Sequence, residues 1–291
     1  MEDVKFDLAD AIVFIERHRK VGKQPRVALQ FPDCFLPQAV STADTLRARC
    51  DCAPFILADT TFGSCCVDEV AAQHAEADMI VHFGDSCLSP TKRLPVHHVF
   101  NQRTCELDDV LNAVCVSEAS AKDTYEQCIL VFELPLIHYM SAARATLSVR
   151  SATSSARCAV QVALPRHLSD AQASHVDCTT SHLSSDGRKI PLGAYYYNLP
   201  ASVDPNRCSV VFIGAASTAL SNVALNLHGA ALYTFDPSKA ASLPARIPQS
   251  KTLARRFFLM NKARDAEIIG IVVGTLGVGM SSRMCCISPM T

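Results

Sequence analysis

Two adjacent cysteines, Cys65 and Cys66, lie within residues 58–70 of this 291-residue chain. An apolar run at residues 54–57 leads into a polar, glycine-containing turn just before the two thiols, and a helix-like segment follows them. Where a strand gives way to the amino end of a helix, unpaired backbone N–H groups and the helix dipole stabilise a thiolate. Catalysis and metal binding are therefore both open to these thiols, and the alternative is a pair of small buried side chains.

A further cysteine, Cys87, follows the next predicted strand, Met79–Phe83, within the segment GDSCLSP. Cys65 and Cys87 thus each come after the end of a strand, and those two strands are consecutive in the sequence. Consecutive strands of a parallel sheet are usually near neighbours, and ligand sites lie beyond the carboxyl ends of such strands. The sequence therefore predicts that Cys65 and Cys87 share one site.

Other polar residues near these cysteines have simpler interpretations. His82 lies inside an apolar strand, which is typical of a core histidine with satisfied hydrogen bonds. Asp59 and Asp68 flank the cysteine turn and are expected to shape or cap it rather than to act as acid–base catalysts. The glycines of GTLGVG are a weak phosphate-loop signal, because similar glycine spacing after a strand is common.

The overall composition excludes several classes of protein. Lys and Arg number 27 against 28 Asp and Glu, so the net charge of -1 disfavours nucleic acid or an anionic membrane as the main partner. The longest apolar stretch, residues 268–280, is interrupted by glycines and falls short of the roughly 20 residues of a membrane helix. The segment MEDVKFDLAD has no apolar signal core, so we expect a cytoplasmic protein whose 14 cysteines serve burial, metal or redox chemistry.

Strands and helices alternate along the chain, which predicts βαβ crossovers and parallel sheets. Predicted strands cover residues 26–31, 55–58, 79–83, 96–100, 128–132, 159–164, 208–214, 230–235 and 268–274, and predicted helices cover residues 39–48, 67–77, 107–114, 135–146, 217–227 and 253–266. The fold class is therefore α/β, with two similar parallel-sheet domains plus the beginning of a third.

The expected domains have the following bounds. Residues 1–122 form a first α/β domain with the candidate cysteines, and residues 123–246 form a second, in which residues 168–190 are loop-rich. Residues 247–277 start a third α/β domain, and residues 278–291 are a short unrelated tail. One helix and one strand cannot bury both faces of a sheet, so we expect a truncated or alternatively spliced product.

Three motifs carry a resemblance to a known family: LADTTFGSCCVDEVAA, MIVHFGDSCLSPTKRLPV and KARDAEIIGIVVGTLG. Together they resemble the diphthamide synthase family, and within it the second of the two eukaryotic subunits. The resemblance extends over roughly residues 26–277 and is weakest between residues 147 and 190.

The resemblance implies three similar α/β domains around a central 4Fe-4S cluster held by three cysteines. Catalytic members cleave S-adenosylmethionine and transfer a 3-amino-3-carboxypropyl group to a histidine of translation elongation factor 2. In eukaryotes two subunits form a heterodimer, in which the first carries the S-adenosylmethionine chemistry and the second helps to reduce the first subunit's cluster. A small electron-donor protein is the further partner implied.

Position by position, the resemblance makes Cys65 and Cys87 cluster ligands in this chain. Ala194, after the Leu192–Gly193 pair, occupies the place of a catalytic-subunit cysteine, and its methyl group cannot bind iron. The third ligand would lie beyond Gly277. No catalytic residue is assigned. Apart from these two metal ligands, the sequence does not identify residues that bind a cofactor.

The remaining thiols are weaker candidates. Cys66 is not expected to serve the same iron as Cys65, because consecutive residues at a turn or helix start point in different directions. Cys285 and Cys286 lie in a segment without the surrounding structure that fixes a metal ligand.

Three functions stay open at this point. The leading one is an electron-transfer or non-catalytic subunit of the first diphthamide step, with neither nucleic acid nor membrane as partner. The second is a purely structural partner without a cluster, since a site that lacks its third thiolate is expected to be weak or empty. The third is a zinc-binding α/β protein, for which two ligands of a tetrahedral site are not evident.

Overall fold

Helices and strands alternate through the parts of the chain that the computed structural model describes. These are residues 6–58, 63–120, 125–153, 158–166, 187–227, 229–239, 244–247, 251–271 and 285–287. The chain divides into two compact units, Met1–Arg246 and Ile247–Thr291. Among the described residues, no helix combines the length and the apolar character needed to cross a bilayer.

The first sheet has four parallel strands in the order β2-β1-β3-β4. Its elements in chain order are α1 (Ala9–Arg17), β1 (Arg26–Gln30), α2 (Leu36–Cys50), β2 (Ala53–Ile56), α3 (Glu69–His74), β3 (Met79–Phe83) and β4 (Val96–Val99). Strand β3 is buried at every residue because helices cover both faces of a parallel sheet. One core cluster joins α1, α2 and the sheet, and a second, smaller cluster joins α3 to it.

The second sheet has five strands in the order β12-β11-β10-β5-β6, parallel except for β12. Its elements are α4 (Leu107–Ser120), β5 (Gln127–Phe132), α5 (Met140–Thr153), β6 (Ala159–Val162), β7 (Leu164–Pro165), β8 (Gly187–Leu192), β9 (Tyr195–Pro200), β10 (Cys208–Ile213), α6 (Thr218–Leu225), β11 (Ala231–Phe235) and β12 (Ala245–Arg246). Strands β7, β9 and β8 form a separate antiparallel sheet. The two larger sheets confirm the predicted parallel α/β class.

The prediction of a loop over residues 168–190 is wrong for its last four residues. Residues 187–190 belong to β8, which pairs with β9 at six positions, and residues 168–186 lie outside the described residues. The strand was not apparent because Gly187 and Pro191 interrupt its pattern, and its stability comes from the pairing with β9. Residues 135–139, expected to be α-helical, form a 3₁₀ turn that leads into α5.

The unit Ile247–Thr291 contains one helix and one strand pair within its described residues. These are α7 (Lys251–Arg264), β13 (Ile269–Ile271) and β14 (Cys285–Ile287). Strands β13 and β14 pair antiparallel, so the segment around Cys285 and Cys286 contributes a strand where the sequence showed no periodic pattern.

Candidate metal centre

Three thiols meet beyond the carboxyl ends of strands in the first sheet. The Sγ atom of Cys66 lies 3.9 Å from Sγ of Cys65 and 3.8 Å from Sγ of Cys87. All three sulfur atoms lie within 4.8 Å of one another, and all three residues are partly buried. The structure thus brings Cys65 and Cys87 into one cluster, and Cys66 lies between them.

The position of Cys66 contradicts the expectation that its side chain would point in a different direction from that of Cys65. Its N–H donates to the carbonyl of Gly63 at 2.9 Å, and this closes a tight turn. The Cys87 N–H donates to the carbonyl of Cys65 at 3.0 Å, which ties the two loops together. With the chain held in this way, both thiols of the pair lie close to the thiol of Cys87.

Buried polar residues hold the turn on its inner side. His82 Nε2 lies 3.1 Å from the Ser64 carbonyl, so one ring nitrogen of this strand histidine is hydrogen-bonded as expected, whereas its buried Nδ1 has no partner among the described residues. Asp68 is the N-cap of α3 and accepts a hydrogen bond from the Ala71 N–H at 2.8 Å, which fits the predicted capping role. Asp59 lies outside the described residues. Gln30, which sequence reasoning missed, bonds to both Cys66 and Asp68.

The three thiols differ in acidity. Burial raises the pKa of Cys65, and burial together with hydrogen bonding to Cys87 raises the pKa of Cys66 to about 12. Burial also acts to raise the pKa of Cys87, but hydrogen bonds from Ser89 and from the other two thiols outweigh it and lower that pKa. Cys87 is therefore the most acidic thiol of the group, and metal binding must displace protons from the other two.

A cavity of about 230 Å³ adjoins the thiols. Its walls come from the region of the first sheet and from the region around the second sheet within the unit Met1–Arg246. The lining residues are Cys65, Asp85, Ser86, Cys87, Glu133, Leu134, Ala194, Tyr195, Ser217, Thr218, Ala219 and Asn222. Ala194 therefore faces the same cavity as two of the thiols and offers it a methyl group. The Glu133 carboxylate is fixed by the Arg103 guanidinium and by the Ala215 N–H at 3.1 Å. Burial raises the pKa of Tyr195, and the nearby carboxylates of Glu133 and Asp85 raise it further. The Tyr195 hydroxyl on the cavity wall is therefore uncharged at neutral pH.

The donor set suits iron or another thiophilic metal. Iron–sulfur clusters are held by cysteine thiolates, and this site brings three cysteines together. A tetrahedral metal with bonds of about 2.3 Å to sulfur places its sulfur ligands about 3.8 Å apart, and the two spacings that involve Cys66 match this value. Each thiolate of a 4Fe-4S cluster binds a different iron, so the side chains must rotate apart to seat a cluster. The donor type therefore fits a cluster, and Cys65, Cys66 and Cys87 are the residues that could hold it.

Together, the fold and the site define an α/β protein whose thiol centre lies at the carboxyl ends of parallel strands. The sequence model of a family described as "Putative diphthamide synthesis protein" matches residues 31–285. That match covers most of the chain. This protein belongs to the diphthamide synthesis family.

Curated relatives support the same assignment. The chain is 32% identical over 263 residues to "2-(3-amino-3-carboxypropyl)histidine synthase subunit 2" of Danio rerio, with 87% of this chain and 49% of the relative covered. It is 32% identical over 265 residues to the Homo sapiens protein of that name, with 87% and 50% covered. For Schizosaccharomyces pombe the identity is 33% over 268 residues, with 89% and 48% covered. The chain thus spans about half the length of these relatives.

Solved structures share the fold. Dph2 from Pyrococcus horikoshii superposes with a TM-score of 0.53 at 15% identity, and 90% of this chain and 68% of that chain are covered. A second crystal structure, of Dph2 with a 4Fe-4S cluster, gives a TM-score of 0.54 at 15% identity, with 91% and 67% covered. At this identity the likeness shows the fold alone.

Proposed function

We propose that this protein is the electron-transfer or non-catalytic subunit of the complex that performs the first step of diphthamide biosynthesis. In that step a 3-amino-3-carboxypropyl group passes from S-adenosylmethionine to a histidine of translation elongation factor 2. The observation that carries the proposal is the cluster of Cys65, Cys66 and Cys87 in a member of this family. Relatives named as subunit 2 of the synthase support the choice of subunit.

In this proposal Cys65 and Cys87 bind iron atoms of a 4Fe-4S cluster. When bound, such a cluster supplies one-electron chemistry, here to reduce the cluster of the catalytic subunit. This chain's own residues hold the thiols at one edge of the first sheet. The methyl group of Ala194, on the wall of the same cavity, supports a non-catalytic role because it offers no ligand from that side.

The proposed assembly is a heterodimer with the first diphthamide synthase subunit, which would bind S-adenosylmethionine. Elongation factor 2 would be the protein substrate and a small protein the electron donor, all in the cytoplasm. Residues 1–122 and 123–246 would be the first two domains. Residues 247–277 would begin a third domain, and residues 278–291 would be a short tail of unrelated sequence, of which residues 285–287 pair with β13.

Anaerobic reconstitution with iron and sulfide tests the ligand assignment. The full chain is reconstituted with and without the first subunit, reduced, and examined by electron paramagnetic resonance. We expect a cluster signal from this subunit that Cys65→Ala and Cys87→Ala abolish. Cys105→Ala is the matched control, because Cys105 is also partly buried but is not one of the three clustered thiols. An unchanged signal in Cys65→Ala or Cys87→Ala would show that ligand assignment to be wrong.

A second candidate is a purely structural partner that stabilises the first subunit without a cluster. The sulfur spacings of 3.9 and 3.8 Å favour it, because the three side chains would have to rotate apart before each thiolate could bind a different iron of a cluster. Co-purification with the first subunit separates the two candidates. A structural partner keeps the complex and its activity when Cys65 and Cys87 are both replaced by alanine, whereas an electron-transfer subunit keeps the complex and loses the activity.

A further inference from the structure

Two buried polar side chains stand next to each other at the ends of neighbouring strands below the thiols. Gln30 is the last residue of β1, and His82 is its register partner on β3. Their exposed fractions are 1% and 0%. Burying an amide or an imidazole without hydrogen bonds is costly, so the partners of these side chains explain why they are there.

Both polar atoms of the Gln30 amide are bonded to the cysteine turn. Its Nε2 donates to the Cys66 carbonyl at 2.8 Å, and its Oε1 accepts from the Asp68 N–H at 3.0 Å. The side chain thereby bridges two backbone groups of the turn, one on each side of residue 67. A primary amide carries a donor and an acceptor side by side, and both are used here.

His82 is hydrogen-bonded to the same turn at Ser64, two residues before Cys66. Because a carbonyl oxygen only accepts, the 3.1 Å contact with Ser64 requires the proton on Nε2 of His82. Burial lowers the pKa of His82 to about 4, so at neutral pH the ring is uncharged and this contact fixes its tautomer.

We infer that Gln30 and His82 are positioning residues, which hold the Ser64–Asp68 backbone so that the sulfurs of Cys65, Cys66 and Cys87 converge. The inference rests on the proposed function only in taking the thiols as metal ligands. Alternate residues of the turn, Ser64, Cys66 and Asp68, are each bonded to the sheet. The turn therefore cannot rotate about its ends without breaking buried hydrogen bonds, and removing such orienting contacts typically weakens metal binding about 10- to 100-fold.

Cadmium binding to the anaerobic, metal-free full chain measures this effect. The signal is the ultraviolet charge-transfer absorption of cadmium–thiolate bonds. Gln30→Met and His82→Phe remove the hydrogen bonds at nearly constant volume, and we expect each to raise the dissociation constant about 10- to 100-fold. His82→Gln restores an N–H donor and is expected to recover most of the affinity.

His97→Phe is the matched control. His97 is also buried, on the adjacent strand β4, but its neighbour in the sequence, His98, is the one that pairs with His82. Adjacent strand residues face opposite sides of the sheet, and the His97 ring stacks on Phe14. We expect His97→Phe to leave the cadmium affinity unchanged. Wild-type affinity in both Gln30→Met and His82→Phe would overturn the inference.

A metal-free measurement separates this inference from the proposed function. Phenylarsine oxide bridges two thiols that lie close together, so its capture by the wild-type chain reports the convergence of the sulfurs. We expect capture to be slowed about tenfold or more in Gln30→Met and His82→Phe, and to be unaffected in His97→Phe. If cadmium does not bind the wild type while the arsenical result holds, the metal-ligand role fails and the positioning role stands. Equal capture in all variants overturns the positioning role.

Discussion

Lowering the pH from 7 to 5 is expected to destabilise this protein because its first sheet buries neutral histidines. His97 is 2% exposed, and burial lowers its pKa from 6.5 to about 4. His82 has a pKa lowered to about 4 for the same reason, and burial also holds the pKa of His98 well below its usual range.

The sign and size of the effect follow from the pKa difference between the folded and unfolded chains. Between about pH 6.5 and pH 4 the unfolded chain binds a proton at His97 and the folded chain does not, so acid favours unfolding. The contribution of His97 is fully present above about pH 6.5 and is lost as the pH falls towards 4. From pH 7 to pH 5, a shift of this size costs about 2 kcal/mol per histidine, a sizeable part of a typical stability of about 5–15 kcal/mol.

Urea unfolding of the wild type and of His97→Phe at pH 7 and pH 5 measures this contribution. Circular dichroism is the suitable signal because the chain contains no tryptophan. The phenylalanine ring keeps the stacking on Phe14 but cannot bind a proton. We expect the acid-induced loss of stability to be smaller in the variant by about 2 kcal/mol. If both proteins lose the same stability over this pH range, the reasoning from burial at His97 is refuted.

Two further substitutions probe the surroundings of two carboxylates, Asp78 and Glu133. Asp78 accepts hydrogen bonds from the Arg26 N–H and the Lys23 Nζ, both at 3.0 Å; burial acts to raise its pKa, but these bonds outweigh it and lower the pKa. Asp78→Ala should lower the free energy of unfolding in urea by about 1–3 kcal/mol at pH 7. This difference from the wild type should shrink as the pH falls below about 4, because the wild-type carboxylate then becomes protonated. A difference that stays constant over this pH range would contradict the prediction. Gly214 has φ +155°, and a Cβ there would lie 2.5 Å from Oε2 of Glu133, so Gly214→Ala should lower stability by about 1–3 kcal/mol; wild-type stability would show that Glu133 yields freely.

Parts of the fold that depend on local patterns could be predicted from the sequence. Strand β3 runs over Met79–Phe83 as expected, because a short, mostly apolar run between turn signals is typical of a buried strand of a parallel sheet. The alternation of such strands with helices also fixed the α/β class. Strand β8 was not predictable in this way, because its short, interrupted pattern depends on a partner strand for its structure.

At the site, the sequence by itself determined that Cys65 and Cys87 follow neighbouring strands, since strand order and chain direction bring such positions to one edge. Only the tertiary structure decided the place of Cys66, because the turn's backbone angles, and not residue spacing, set where its sulfur points. The tertiary structure also decided the roles of Gln30 and His82. The single polar side chain near the end of RVALQF was the available signal for Gln30. Its partners lie 36 and 38 residues away in the cysteine turn, and contacts over such distances depend on how the turn packs against the sheet.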